Sequence, residues 1–178
     1  MTRISLLEEN SLYRSTLAHQ INQADSEYDL HSFQEASSFL LAFRPGKFSV
    51  CIIDLDMSTA SGKEVIKKVR LVAPEQRFLA TSIFFDEVLH RELREMGVSG
   101  VLVKSDKQLR IESALKQMMD GLSAYPEKFC FRDTASLSRR ALEIQKLFRM
   151  GNDLSSISDQ LGVDQITVKM YLKGLSAI

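Results

Sequence analysis

A chain of 178 residues with 44% apolar side chains can close one large or two small hydrophobic cores, which excludes a disordered or fibrous protein. Its 23 basic and 23 acidic residues cancel, so net charge draws it neither to nucleic acid nor to a membrane, and any such role has to come from local placement. No run approaches the roughly 20 apolar residues of a bilayer span and no secretory leader pattern opens the chain, so a cytoplasmic protein is expected.

In chain order, residues 3–7 read as a strand, and Leu12, Leu17 and Ile21 set the spacing of a helix capped by Asn10 or Ser11. A weaker strand follows at 28–33, then a helix around 35–43 that Arg44-Pro45-Gly46 ends. Residues 48–54, FSVCIID, are apolar without a break until Asp54, as suits a strand covered on both faces. Helix 62–72, strand 77–82, helix 86–96, strand 100–104 and helix 105–122 complete the pattern. Five strands alternating with five helices predict an α/β fold with a doubly wound, five-stranded parallel sheet, because parallel neighbours need crossover connections.

In such sheets ligands bind outside the carboxyl ends of the strands. Those ends carry Glu8 and Glu9 after the first strand, Asp54 after the third, Ser82 after the fourth and Lys104 after the fifth, and the five side chains are expected to converge. Clustered carboxylates repel one another unless a cation sits among them, which suggests a hard, oxygen-seeking ion such as Mg²⁺. Lys104 and the Ser82 hydroxyl supply the charge and hydrogen bond that a phosphoryl group needs, with Thr81 competing for the hydroxyl role. Cys51 and Cys130 lie far apart and show no metal-ligand spacing; both read as small buried hydrophobes. His19, His31 and His90 share no motif.

After Gly121 the periodicity lapses, and 121–135 reads as a linker between a first domain at 1–120 and a small all-α domain at 136–178. In the second domain Leu137, Ala141, Ile144, Leu147 and Phe148 fall at helical spacing up to Gly151. Two shorter helices follow Asp153 and Asp164, both plausible N-caps, and the bend Leu161-Gly162-Val163 between them has the glycine of a helix-turn-helix. From Ser136 onward six basic residues face four acidic ones, whereas residues 1–120 hold 15 basic and 17 acidic, so the weak positive field lies at the C-terminal end.

These residues carry a resemblance. Asp54 closing the third strand, then Met57, Ser58 and Gly62 at the offsets of a Met-Pro pair and a glycine, with Ser82 and Lys104, resembles the receiver domain of two-component response regulators. TVKMYL at 167–172, with Ser158, Gly162 and Val168, resembles the LuxR-type helix-turn-helix, so the whole is similar to the NarL/FixJ class. The resemblance implies Asp54 as phosphoacceptor, Ser82 and Lys104 as phosphoryl-stabilising residues, and Mg²⁺ held by Glu8, Glu9, Asp54 and the backbone carbonyl of Asp56. It implies Thr167, Lys169, Met170 and Lys173 as DNA-contacting residues. The partners implied are promoter DNA, a sensor histidine kinase or small phosphodonor, and a second receiver in a homodimer or a heterodimer with another regulator.

Four positions depart from that pattern. Glu9 stands for an aspartate, Ser58 for the proline, Val101 for a switch aromatic and Tyr171 for a histidine. With Ile178 ending the third helix, the usual fourth helix of the small domain is expected to be lacking. The expectation is thus a transcription regulator, not an enzyme beyond self-phosphotransfer, whose receiver is phosphorylated on Asp54 or acts independently of phosphate. The alternative is a phosphorylation-dead receiver protein that modulates another regulator by protein contact. A metabolic enzyme lacks support, since no glycine-rich phosphate loop and no nucleophile paired with a base is present.

Overall fold

The computed structural model describes residues 2–83, 85–104, 111–126, 143–144, 146–148, 150–163, 165, 168–169 and 172. The chain divides into two compact units, Met1–Cys130 and Phe131–Ile178. The first contains β1 (Thr2–Leu7), α1 (Ser11–Ala24), β2 (Tyr28–Phe33), α2 (Ala36–Ala42), β3 (Val50–Asp54), α3 (Gly62–Val72), β4 (Arg77–Ser82), α4 (Glu87–Glu95), β5 (Gly100–Val103) and α5 (Ile111–Met119). The strands form one parallel sheet in the order β2-β1-β3-β4-β5, as the alternation of elements predicts.

β3 occupies the centre, and every residue from Val50 to Asp54 is buried. Its side chains alternate between faces: Val50 and Ile52 meet Leu17 and Ile21 of α1 and Leu115 and Met118 of α5, whereas Cys51 and Ile53 meet Phe39 of α2, Val65 and Ile66 of α3 and Leu93 of α4. A strand with a helical layer on both sides needs no polar face, which explains the unbroken apolar run. Burial pushes the Cys51 thiol up to about 12, so it behaves as the expected inert hydrophobe; Cys130 lies outside the described residues.

Asn10, not Ser11, caps α1, its Oδ1 accepting from the N–H of Tyr13 at 3.0 Å. Leu12, expected on the buried face, is 78% exposed, because the inward stripe of α1 runs through Leu17 and Ile21. Helix α3 begins on Gly62, where any Cβ would collide with the backbone carbonyl of Asp54. Glycine there lets α3 press directly onto the end of β3.

Part of the stretch read as linker belongs to the first unit. Ala124 forms a parallel bridge with Gly100, its N–H donating to Ser99 O at 2.8 Å while Val101 N donates to Ala124 O at 3.0 Å. Tyr125 then donates its hydroxyl to Val98 O at 2.7 Å and stacks on Phe85, with His90 edge-on to both rings and the Arg94 guanidinium 5.4 Å from its centroid. Short-range periodicity fails here because the partners are sheet edge and helix, not neighbours along the chain.

In the second unit residues 143–144 and 146–148 are helical, and α6 (Leu154–Leu161) follows. Asp153 caps α6 by accepting from Ser156 N at 2.8 Å, and Gly162 ends it at φ +60°, a left-handed conformation glycine adopts without strain. Ile144, Ile157 and Val168 are fully buried together, with Leu147, Leu154, Leu161, Val163 and Leu172 packed around them. Phe148 is 50% exposed, so the expected stripe ends at Leu147. Leu137, Ala141 and Asp164 lie outside the described residues.

Candidate functional site

The carboxyl ends of β1, β3, β4 and β5 bring Glu8, Asp54, Ser82 and Lys104 together as the topology requires. Asp54 is only 2% exposed, and its Oδ1 accepts from Lys104 Nζ at 2.6 Å and from Asp56 N at 2.9 Å. The same ammonium pairs with Glu8 Oε2 at 2.8 Å, and Glu8 is fully buried. Lys104 is therefore the counter-cation of two carboxylates, and its Nζ also lies 4.9 Å from the centre of the Tyr13 ring. Asn10 N holds the other oxygen of Glu8 at 2.9 Å, so the cap of α1 and the floor of the site share one residue.

The electrostatics follow from this burial. Loss of hydration, helped by the charge of Asp54, pushes the Glu8 carboxyl up to about 7 against the opposing pull of Lys104. For Lys104 burial works against the charged form, but Asp54 and Glu8 overcome it and hold the ammonium above the ordinary lysine value. Asp56 is also raised, by burial and then by Asp54.

Asp56 is expected to act through its backbone carbonyl; its carboxylate is engaged as well. Oδ2 accepts from Ile83 N at 2.7 Å, and Oδ1 lies 3.4 Å from Ser82 Oγ. The side chain thus pins the loop after β4 to the loop after β3. Of the two hydroxyl candidates, Ser82 makes this polar contact, whereas Thr81 Oγ1 is buried without a hydrogen-bond partner. The role of the Asp56 side chain is additional to the backbone role expected, and a carboxylate two residues past the strand end was the available signal for it.

Glu9 does not join the cluster. Its Oε2 accepts from Ser58 N at 2.6 Å and from Thr59 N at 3.4 Å, and its Oε1 from Ser58 Oγ at 2.5 Å. Its slight burial disfavours the charge, but these hydrogen bonds outweigh that and hold its pKa below the ordinary glutamate value. The physical reason is reach. A glutamate on the β1–α1 loop spans the mouth of the site to the loop after β3, and the serine at 58 offers both a backbone and a side-chain donor.

The side chains expected to hold Mg²⁺ are engaged with other partners in this structure. Glu8 is paired with Lys104, Glu9 is tied to the far loop and the Asp56 carboxylate to Ile83. Among the described residues no three His, Cys, Asp or Glu side chains gather where they could hold a metal ion.

Of the residues expected to meet DNA, Lys169 is helical and exposed, next to the fully buried Val168. Thr167, Met170 and Lys173, with Tyr171, lie outside the described residues.

Comparison with known proteins agrees with this geometry. The model of the response regulator receiver domain family matches residues 4–116. Response regulator UvrY of Escherichia coli K12 is 23% identical over 141 residues, covering 72% of this chain and 65% of that protein, so the match spans less than two thirds of the relative. A structure of two RcsB dimers bound to two parallel DNAs is similar over 97% of this chain and 89% of its own, with TM-score 0.63 and 15% identity. Chemotaxis protein CheY4 of Vibrio cholerae covers 68% of this chain and 98% of its own, with TM-score 0.57 and 18% identity. At these identities the structural likenesses speak for the fold. With a sheet in the receiver order, an aspartate closing β3 beside a lysine after β5, and the family match over residues 4–116, the chain belongs to the response regulator receiver domain family.

Proposed function

We propose that the protein is a DNA-binding transcriptional response regulator whose receiver works without phosphorylation of Asp54. The observation that carries this is the Lys104 ammonium lodged between Glu8 and Asp54, on an acceptor carboxylate that is 2% exposed. To be phosphorylated, an Asp54 oxygen would have to attack the phosphorus of a phosphohistidine or acyl phosphate in line as the bond to the leaving group breaks. Oδ1 is held by Lys104 and Asp56 N, so attack from it needs the site to open first. Receiver domains as a family bind Mg²⁺ beside this carboxylate; among the described residues no three His, Cys, Asp or Glu side chains gather as a metal site, and no step is routed through one.

DNA binding draws support from the second unit. A capped helix, a left-handed glycine and a buried Val168 followed by an exposed Lys169 suit a helix-turn-helix whose last helix turns Lys169 outward. RcsB, similar across both units, is seen as dimers on DNA. We extend both features to this chain, with promoter DNA as ligand and a receiver-mediated dimer, and we place its work in the cytoplasm. No described helix is long and apolar enough to cross a membrane.

Two measurements test the reading. Promoter fragments should be retarded by the protein, with the Lys169→Ala/Lys173→Ala variant weakened about 10-fold or more and the affinity falling steeply with salt. Absence of DNA affinity at low salt would leave the alternative, a receiver protein that modulates another regulator by direct contact. Incubation with acetyl phosphate and Mg²⁺ should leave the intact mass unchanged. Gain of one phosphoryl mass that Asp54→Asn removes would overturn the phosphate-independent half.

A further inference from the structure

Two departures from the receiver pattern, Glu9 and Ser58, touch each other. Glu9 Oε2 takes the Ser58 N–H at 2.6 Å and Oε1 takes the Ser58 hydroxyl at 2.5 Å, joining loops that lie 49 residues apart in sequence. Each change makes sense only with the other. A proline at 58 has no N–H or hydroxyl to donate, and an aspartate at 9 is one methylene shorter. Thr59 N adds a longer bond at 3.4 Å to the same carboxylate.

Inside the mouth the position between Glu8 and Asp54 is filled by Lys104, at 2.8 and 2.6 Å, under the face of Tyr13. A divalent ion in a carboxylate cluster does two things: it neutralises the acids and it cross-links the loops that carry them. Here a tethered ammonium does the first and the Glu9–Ser58 contact does the second.

We propose that Lys104 and the Glu9–Ser58 clasp together stand in for a divalent cation, so that the acidic site of this receiver is assembled without metal and is indifferent to it. The inference rests on reading Glu8, Asp54 and Lys104 as the switch site of the receiver, and it is independent of whether the second unit binds DNA.

The test uses the full chain. Titration with Mn²⁺ followed by electron paramagnetic resonance, and with Mg²⁺ by calorimetry, should show no saturable binding, and the melting temperature should be the same in magnesium chloride and in EDTA. The Glu9→Asp/Ser58→Pro variant, which frees the carboxylate from its donors, should acquire Mn²⁺ binding and a melting temperature that rises with Mg²⁺. Saturable metal binding by the unaltered chain that Asp54→Asn abolishes would overturn the proposal. Should the double variant not fold, Glu9→Asp alone is read by amide exchange without metal. Exchange at Ser58 and Thr59 should quicken about 10-fold or more, matching loss of their acceptor, and unchanged exchange would overturn the clasp. Gel retardation run in parallel separates the two readings, since loss of DNA binding bears on the proposed function and leaves the metal titration as it stands.

Discussion

Glu8, on the floor of the acidic site, is fully buried against Lys104, and its carboxyl is pushed up to about 7; Glu9, at the rim, is held below the usual range by Ser58 and Thr59. The two are chemically identical and adjacent on the chain. What separates them is access to water and the number of donors: Glu8 loses hydration and gains one shared ammonium and one N–H, whereas Glu9 keeps much of its hydration and gains several donors. The floor is therefore sensitive to any loss of charge balance, and the rim forgiving.

The strongest way to break this contrast is to remove the shared cation. Lys104→Met leaves Glu8 and Asp54 buried without it, and by analogy with other buried pairs the fold should lose about 3–5 kcal/mol. Chemical denaturation would read this as a lower midpoint with an unchanged slope. Adding Glu8→Gln to Lys104→Met should restore part of the loss, and a double variant no more stable than Lys104→Met would show that the floor is not governed by charge.

A smaller effect comes from titrating the floor. Because the folded pKa of Glu8 lies above that of a free glutamate, folding favours its protonated form, and the stability this contributes is full below about pH 4.5 and lost as the pH rises through about 7. The full chain should thus lose up to about 3 kcal/mol relative to Glu8→Gln across that window, and nothing further above it. Paired melts of the two proteins from pH 4.5 to 8 measure this directly; parallel curves would rule the raised carboxyl out.

The smallest effect belongs to the rim. Glu9→Ala removes solvent-accessible hydrogen bonds and should cost about 0.5–1 kcal/mol with almost no dependence on pH above 6. A loss as large as that of Lys104→Met would mean that the clasp, and not the buried ion pair, is the main tie between the loops.

Much of the first unit was legible because its signals are local. The unbroken apolar run of β3 and the boundaries of α3 depend on residues near one another in the chain. Parallel strands with crossovers then force the strand ends to one edge, so Asp54, Ser82 and Lys104 could be brought together before any coordinates. Leu12 and Phe148 were misjudged because helical spacing defines a stripe but not how far it extends. Tyr125, in a stretch of poor periodicity, packs on Phe85 and His90 some 35 to 40 residues away.

The order of apolar and polar residues by itself determined a parallel sheet with two layers of helices and the edge at which charged groups meet, because parallel neighbours need crossovers and both faces must be covered, whereas the strand order β2-β1-β3-β4-β5 came from the structure. The direction in which each carboxylate turns at that edge was decided only in three dimensions. Glu8 turns to Lys104, Glu9 to Ser58 and Asp56 to Ile83, across separations of 96, 49 and 27 residues. Hydrogen-bond donors supplied by distant loops compete for each oxygen over a few ångströms, and neither the spacing nor the type of residue along the chain encodes which donor arrives first.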